Sequence, residues 1–301
     1  MPRDLRQTSF ADGLVNQRAG RLEWLSDVER LVEWRAIDRL LESVYASDEG
    51  RPSYPLRTLV KLLLLQQWYG LSGPGWEEAV DDRLSFRRFA GLPLDEGVPD
   101  HSTIWRFRQC LAKDVLSEQL FGEVTRQLDA RGLVVRRGTL MDASIVKAAV
   151  KPPACSEGTV SERDPDAGWT TKNGESTFGY KAHGTVDAGA NLIRAAVLTS
   201  AEVHGSQVAR TLIQGDEEAV HADKAYDSQA LRNELAAAGI KSRILRRAAR
   251  NKPLTPAQFW FNKAMSPIRA GVERAFATMK RHYRYRGAAT VDAPAIRVIC
   301  T

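Results

Sequence analysis

Apolar positions in the first third of the chain recur every three or four residues. In DVERLVEWRAIDRLLESV, residues 27–44, the residues Val28, Leu31, Val32, Trp34, Ile37, Leu40, Leu41 and Val44 fall on one face, which predicts a single amphipathic helix. The PSYP stretch at 52–55 breaks it, and Pro55 with Leu56 opens a second helix through LVKLLLLQQWYG to a stop at Gly70. A Ser72-Gly73-Pro74-Gly75 turn leads to a third, WEEAVDDRLSFRRFAG, ending before Gly91. After a loop with Pro93, Gly97 and Pro99, Ser102 is the expected N-cap of TIWRFRQCLAKDVL. A last helix over 116–131 ends at Gly132 and completes an all-helical N-terminal domain, expected over residues 1–135.

The period changes at Val134. TLMDASIV at 139–146 is a strand pattern, and FGYKAHGTVDA and NLIRAAVLTS read as two strands joined at Asp187-Ala188-Gly189-Ala190. Between them and the first strand lies a polar segment, 151–176, expected to be disordered without a partner. A helix near 205–215, a strand at 218–223, a helix at 228–239, a strand at 241–246 and a C-terminal helix, IRAGVERAFATMKRHYRYRG, follow. Strands in meander followed by alternating helix and strand predict an α/β domain over 136–301 with a mixed sheet.

Charge sharpens this picture. The net +6 is modest, but residues 241–301 carry 14 basic against 2 acidic side chains, while 1–135 carry 18 against 21 and 136–240 carry 11 against 14. So dense a positive segment repels itself unless it faces a polyanion, which points to nucleic acid, although a solvated basic tail fits the charge alone equally well. Cys110, Cys155 and Cys300 are odd in number and widely spaced, so ordinary reduced thiols are expected. MPRDLRQTSFADGL lacks a signal-peptide core and LVKLLLL is too short to span a bilayer, so a soluble, cytoplasmic protein with no membrane partner is expected.

Three acids stand out by position. Asp142 interrupts an apolar strand, where a carboxylate is costly to bury without a donor or a cation. Asp223 ends the strand expected at 218–223, at the edge where open α/β sheets hold ligands, with Asp227 the natural cap of the next helix and Ser228 its competitor. Glu273 lies beside the apolar face of Ile268, Val272, Ala275, Phe276 and Met279, with Arg269 one turn earlier. Each alone fits a cap or an ion pair. Together they fit in-line displacement at a phosphodiester, which two Mg²⁺ ions about 4 Å apart assist when carboxylates hold them, with Mn²⁺ able to substitute. Asp142 would bridge the ions, with Asp223 on one and Glu273 on the other. No Ser-His or Cys-His pairing, GxGxxG run or Walker-type loop offers another chemistry.

Basic residues surround these positions. Arg243, Arg246, Arg247, Arg250 and Lys252 follow the last strand, and Lys280, Arg281, Arg284 and Arg286 continue the Glu273 helix. With Arg269 they are expected to position phosphates rather than read bases. Tyr283 and Tyr285 stack on a base or pack in the core, and Trp260 or Phe261 is a candidate DNA wedge. Lys181 and His183 share one face of their strand, where one of them touches DNA or supports the acids unless the face simply packs in the core, and His221, two residues before Asp223, is a candidate to support it from behind. In the N-terminal domain, Arg106 and Arg108 either enter a DNA groove as part of a helix-turn-helix variant or lie on a helix that merely packs.

In this order the blocks resemble the DDE transposases of bacterial insertion sequences, in particular the insertion-sequence-five type group. They are YPLRTLVKLLLLQQWYGLS, DHSTIWRFR, LMDASIV, FGYKAHGTVD, ADKAYDS and RAGVERAFATMKRHYRYRG, the last carrying the family's basic residue, glutamate and lysine on one helix as Arg269, Glu273 and Lys280. The resemblance implies a ribonuclease-H-like mixed-sheet catalytic domain with the three acids at the sheet edge, a helical domain for end binding or dimerisation, and Mg²⁺ as cofactor. It also implies cleavage and 3′-hydroxyl strand transfer by a homodimer on double-stranded DNA, acting at terminal inverted repeats and a target. Relatives continue past RYRG with a longer apolar helix, and the resemblance departs at Ala293-Pro294-Ala295. A metal-dependent endonuclease without strand joining, or a transposase-derived DNA-binding protein, would use the same residues.

Overall fold

Among the described residues, helices build the first of two units into which the chain divides, residues 1–127 and 128–301. The computed structural model describes residues 23–44, 53–113, 115–150, 161–172, 174–248 and 253–281. The helices are α1 (Glu23–Leu31), α2 (Trp34–Leu41), α3 (Leu56–Tyr69), α4 (Gly73–Asp82), α5 (Leu84–Ala90), α6 (His101–Lys113) and α7 (Leu116–Ala130). The helix expected over 27–44 is thus two helices and a 3-10 turn. Its break lies at Glu33, where the Gln127 side chain replaces helical bonds: Glu33 N–H donates to Gln127 Oε1 at 2.8 Å, and Gln127 Nε2 donates to the Glu33 carbonyl at 3.3 Å.

The helix expected over 76–91 is likewise split, at the extended residue Arg83. On one continuous helix Phe89 would lie opposite Val80, whereas the break lets both be buried. Asp100, not Ser102, caps α6, since its Oδ1 accepts from Thr103 N–H at 2.6 Å. The apolar run of α3 is buried around Leu59, Leu62 and Leu65, and no helix among the described residues is long and apolar enough to cross a membrane.

In the second unit the strands are β1 (Thr139–Lys147), β2 (Gly168–Lys172), β3 (Glu175–Asp187), β4 (Ile193–Ser200), β5 (Ala219–Ala222) and β6 (Lys241–Ser242). β3 runs antiparallel to β1, β4 antiparallel to β3, and β5 and β6 continue parallel on the other side of β1. The order β4-β3-β1-β5-β6, three antiparallel strands extended by two parallel ones, is the ribonuclease-H-like arrangement. The turn at Asp187–Ala190 forms as expected, with Asp187 Oδ1 accepting from the backbone of Gly189 and Ala190. Part of the segment expected to be disordered is ordered: β2 pairs with β3 from Gly168↔Gly179 to Lys172↔Glu175, and Trp169 stacks on Phe178. Residues 151–160 lie outside the described residues.

Helices α8 (Gly205–Leu212) and α9 (Gln229–Ala237) contribute Ala209, Leu212, Leu231 and Leu235 to the core around Met141, Val220 and Ala222. Ser228 caps α9 by accepting from Leu231 N–H at 3.2 Å, whereas Asp227 pairs with Arg232 and accepts from Arg247 N–H. On the opposite face, Leu140 and Val186 pack with Val272 and Phe276 of α11 (Gly271–Arg281). The C-terminal helix is also interrupted, for Arg269 ends α10 (Pro256–Arg269) and Glu273 lies in the first turn of α11.

Candidate active site

Alternation along β1 places Asp142 on the same face as Leu140, the face covered by α11. The residue paired with it on β3 is Gly184, which faces the Phe276 ring. On the other side, the β1–β5 pairing ends at Met141↔Ala222, so the next residues on these two parallel strands are Asp142 and Asp223. Asp223 begins the 3-10 turn Lys224–Tyr226, but its carboxylate makes no capping bond to that turn. The cap that would explain an isolated Asp here is therefore not formed.

Glu273 is brought in by close packing. Gly271 approaches β1 so tightly that a Cβ there would lie 2.8 Å from Leu140 Cδ1, and this contact seats the first turn of α11 beside Asp142. Arg269 joins the two acids: Nη1 donates to Asp142 Oδ2 at 2.9 Å and Nη2 to Glu273 Oε1 at 2.8 Å. Burial pushes the Asp142 carboxyl above the usual carboxylate range, opposed by the Ala143 N–H bond and Arg269, while the Asp223 charge adds to the push. Among the described residues, no group of three or more His, Cys, Asp or Glu side chains is gathered as a ready-made metal cage.

The donor set nonetheless fits a hard cation. A buried carboxylate beside a second one calls for positive charge, and a guanidinium already supplies it between Asp142 and Glu273.

Other expected site residues fall less simply. His183 is fully buried on the opposite face of the sheet, its Nδ1 3.3 Å from Tyr226 Oη and its Nε2 3.1 Å from Thr199 Oγ1, so it does not touch DNA. Arg108 is buried and donates to Gln66 Oε1 at 2.7 Å, which removes it from any groove-reading surface, while Arg106 is exposed. Lys181 is half-buried and donates to the Val203 carbonyl at 2.8 Å. Arg246 lies over the Phe261 ring, 5.2 Å from its centroid, Arg243 and Lys280 are half-buried, and Arg247 and Arg281 are exposed. His221 is buried against Gly138, two residues before Asp223. Trp260 is 61% exposed on α10. Arg250, Lys252, Tyr283, Arg284, Tyr285 and Arg286 lie outside the described residues.

Two residues near the acids have no sequence signal of their own. Tyr226 is buried on the turn that follows Asp223, its hydroxyl held neutral by burial and by the charges of Asp142 and Asp223, and Lys172 on β2 opposes the rise at Asp142.

Residues 135–291 match the family described as the transposase DDE domain, and residues 15–110 match a transposase domain, DUF772. The chain belongs to the DDE transposase family. Members of that family use divalent metal ions. Among solved structures the transposase is similar, at 9% identity over 85% of its length and 86% of the other chain, to the Mos1 strand transfer complex, with a TM-score of 0.22. A pre-cleavage Mos1 transpososome gives 9% identity, 85% and 87% coverage and a TM-score of 0.20. It is the strand order, not these distant likenesses, that carries the ribonuclease-H-like assignment.

The buried His183 makes the stability of the transposase pH-dependent. Burial, with Lys181 and His204 nearby, lowers its pKa to about 4 from an ordinary 6.5. Between those values the unfolded chain binds a proton that the folded one does not, so stability falls as pH drops through this window and levels off below it. The loss expected from this residue is about 3 kcal/mol. Urea melts at pH 7 and pH 4.5 check this, since His183→Gln should flatten its part of the difference.

Proposed function

We infer that Asp142, Asp223 and Glu273 are the catalytic acids of an insertion-sequence transposase of the insertion-sequence-five type, cutting element ends and joining the freed 3′-hydroxyl to target DNA. The observation that carries this reading is the convergence of β1, β5 and α11 on Asp142, which neighbours Asp223 across the strands and is tied to Glu273 through Arg269. Two Mg²⁺ ions, replaceable by Mn²⁺, would stabilise the entering and leaving oxygens of an in-line displacement. Asp142 would face both ions, with Asp223 and Glu273 each completing one side, and buried His221 is a candidate to hold the Asp223 strand end. The exposed Arg247 and Arg281, with Arg243, Arg246, Lys280 and the tail residues Arg250, Lys252, Arg284 and Arg286, would position phosphates. The helical unit, through Arg106 among others, would serve end binding or dimerisation, in a homodimer at terminal inverted repeats of bacterial DNA.

Purified protein with DNA carrying the element's ends, in Mg²⁺ or Mn²⁺, is expected to nick at the end boundary. Glu273→Gln should remove that activity while leaving end binding intact. Strand-joined products separate a transposase from an endonuclease, and end binding without any cutting under either metal would reject the enzymatic reading.

A further inference from the structure

We propose that Arg269 is an interlock, closing the acids to a divalent ion until a phosphate of bound DNA draws its guanidinium away. The inference rests on the three-acid reading. Arg269 occupies Asp142 Oδ2 and Glu273 Oε1 at 2.9 and 2.8 Å, two of the oxygens a divalent ion would need. A guanidinium and a divalent ion cannot share these oxygens at contact distance, because two cations would then face each other in a partly buried site.

The arginine is also placed to leave. It is the last residue of α10, Pro267 two residues earlier lacks the N–H that would tie the final turn to Lys263, and Ala270 joins α10 to α11. The bonding of Arg269 is incomplete as well, for the buried Nε has no hydrogen-bond partner among the described residues. The planar guanidinium fork matches a phosphate as well as it matches carboxylates. Binding of DNA would thus open the acids, and by reciprocity a bound ion would strengthen DNA binding. Such coupling confines hydrolytic chemistry to protein that already holds DNA.

The test measures Mn²⁺ binding to the full, DNA-free chain by the electron paramagnetic resonance signal of the free ion. Arg269→Gln is expected to bind Mn²⁺ about tenfold more tightly than the unaltered protein, a gain that loss of a purely structural residue would not produce. Adding a short duplex should tighten Mn²⁺ binding to the unaltered chain by about the same factor and leave the variant unchanged. Arg269→Lys, which keeps the charge without the fork, should show a smaller gain and serves if the glutamine variant does not fold. Equal or weaker Mn²⁺ binding in both variants, or equal tightening by the duplex in variant and unaltered chain, overturns the interlock. Asp142→Asn separates the two levels. If, with the duplex bound, it binds Mn²⁺ like the unaltered chain, the three-acid reading fails. If it loses the ion but Arg269→Gln gains nothing, the interlock alone fails.

Discussion

Asp142→Asn is expected to lower strand cleavage about a thousandfold or more while raising the melting temperature of the DNA-free protein. The first effect follows from its central position, because loss of charge there weakens positive-ion binding toward both Asp223 and Glu273, and several kcal/mol of transition-state stabilisation corresponds to that factor. The second follows from the sign of its titration. Burial raises the carboxyl above its unfolded value, so the folded state resists ionisation. The resulting cost is absent at pH below the ordinary carboxylate range, grows as pH rises toward the raised value, and is fully present near neutrality. An amide of the same shape escapes it. Melts at pH 7 should therefore favour the variant, with the advantage shrinking toward pH 4, and a variant that cuts normally would remove Asp142 from the chemistry.

Asp187, at the end of the neighbouring strand, shows the contrast. It is as buried as any acid in the sheet, yet its carboxylate accepts from three backbone N–H groups, those of Arg136, Gly189 and Ala190, at 2.7 to 2.9 Å. That acid is satisfied by the fold. Asp142 accepts one backbone N–H, from Ala143, and otherwise depends on the Arg269 guanidinium. The fold leaves Asp142 short of the main-chain donors that satisfy Asp187, and a buried polar group so left calls for an explanation.

Much of this was legible in the residues. The alternation of TLMDASIV and the short apolar run ending at Asp223 placed both acids on strands, and glycines at 70 and 132 marked helix ends that carry positive φ. What one-dimensional patterns could not carry was anything decided by a distant partner. Arg269 meets Asp142 across 127 positions, Gln127 breaks a helix at Glu33 across 94, and β2 forms where β3 offers an edge to a short stretch inside a polar segment. Sequence alone could not decide between a DNA-facing and a packed position for His183 and Arg108 for the same reason. Polar residues on a strand or helix look available until the neighbours that bury them, Tyr226 and Thr199 or Gln66, are in place.

Gly179→Ala is expected to be the most damaging of the glycine substitutions in the sheet. This residue stands where β3 pairs on one side with Lys147 of β1 and on the other with Gly168 of β2, and its φ of +155° is one that side chains rarely adopt. A Cβ there would lie 2.2 Å from the Val146 carbonyl oxygen and 2.7 Å from the Ala148 nitrogen, both main-chain atoms that cannot rotate aside. β1 and β3 would have to part, at a cost of about 3 kcal/mol or more and a melting-temperature loss of roughly 10 °C. Gly168 is the control. Its added Cβ would also meet an atom at 2.2 Å, but that atom is the Ser200 hydroxyl, which can turn away, so Gly168→Ala should cost much less. Equal melting temperatures for the two variants would show that main-chain approach is not what reserves position 179 for glycine. If the difference appears, it should extend to the acids, because the same β1–β3 ladder holds Asp142 against Gly184 five residues further along β3, and parting the strands at 179 loosens the register that sets the site.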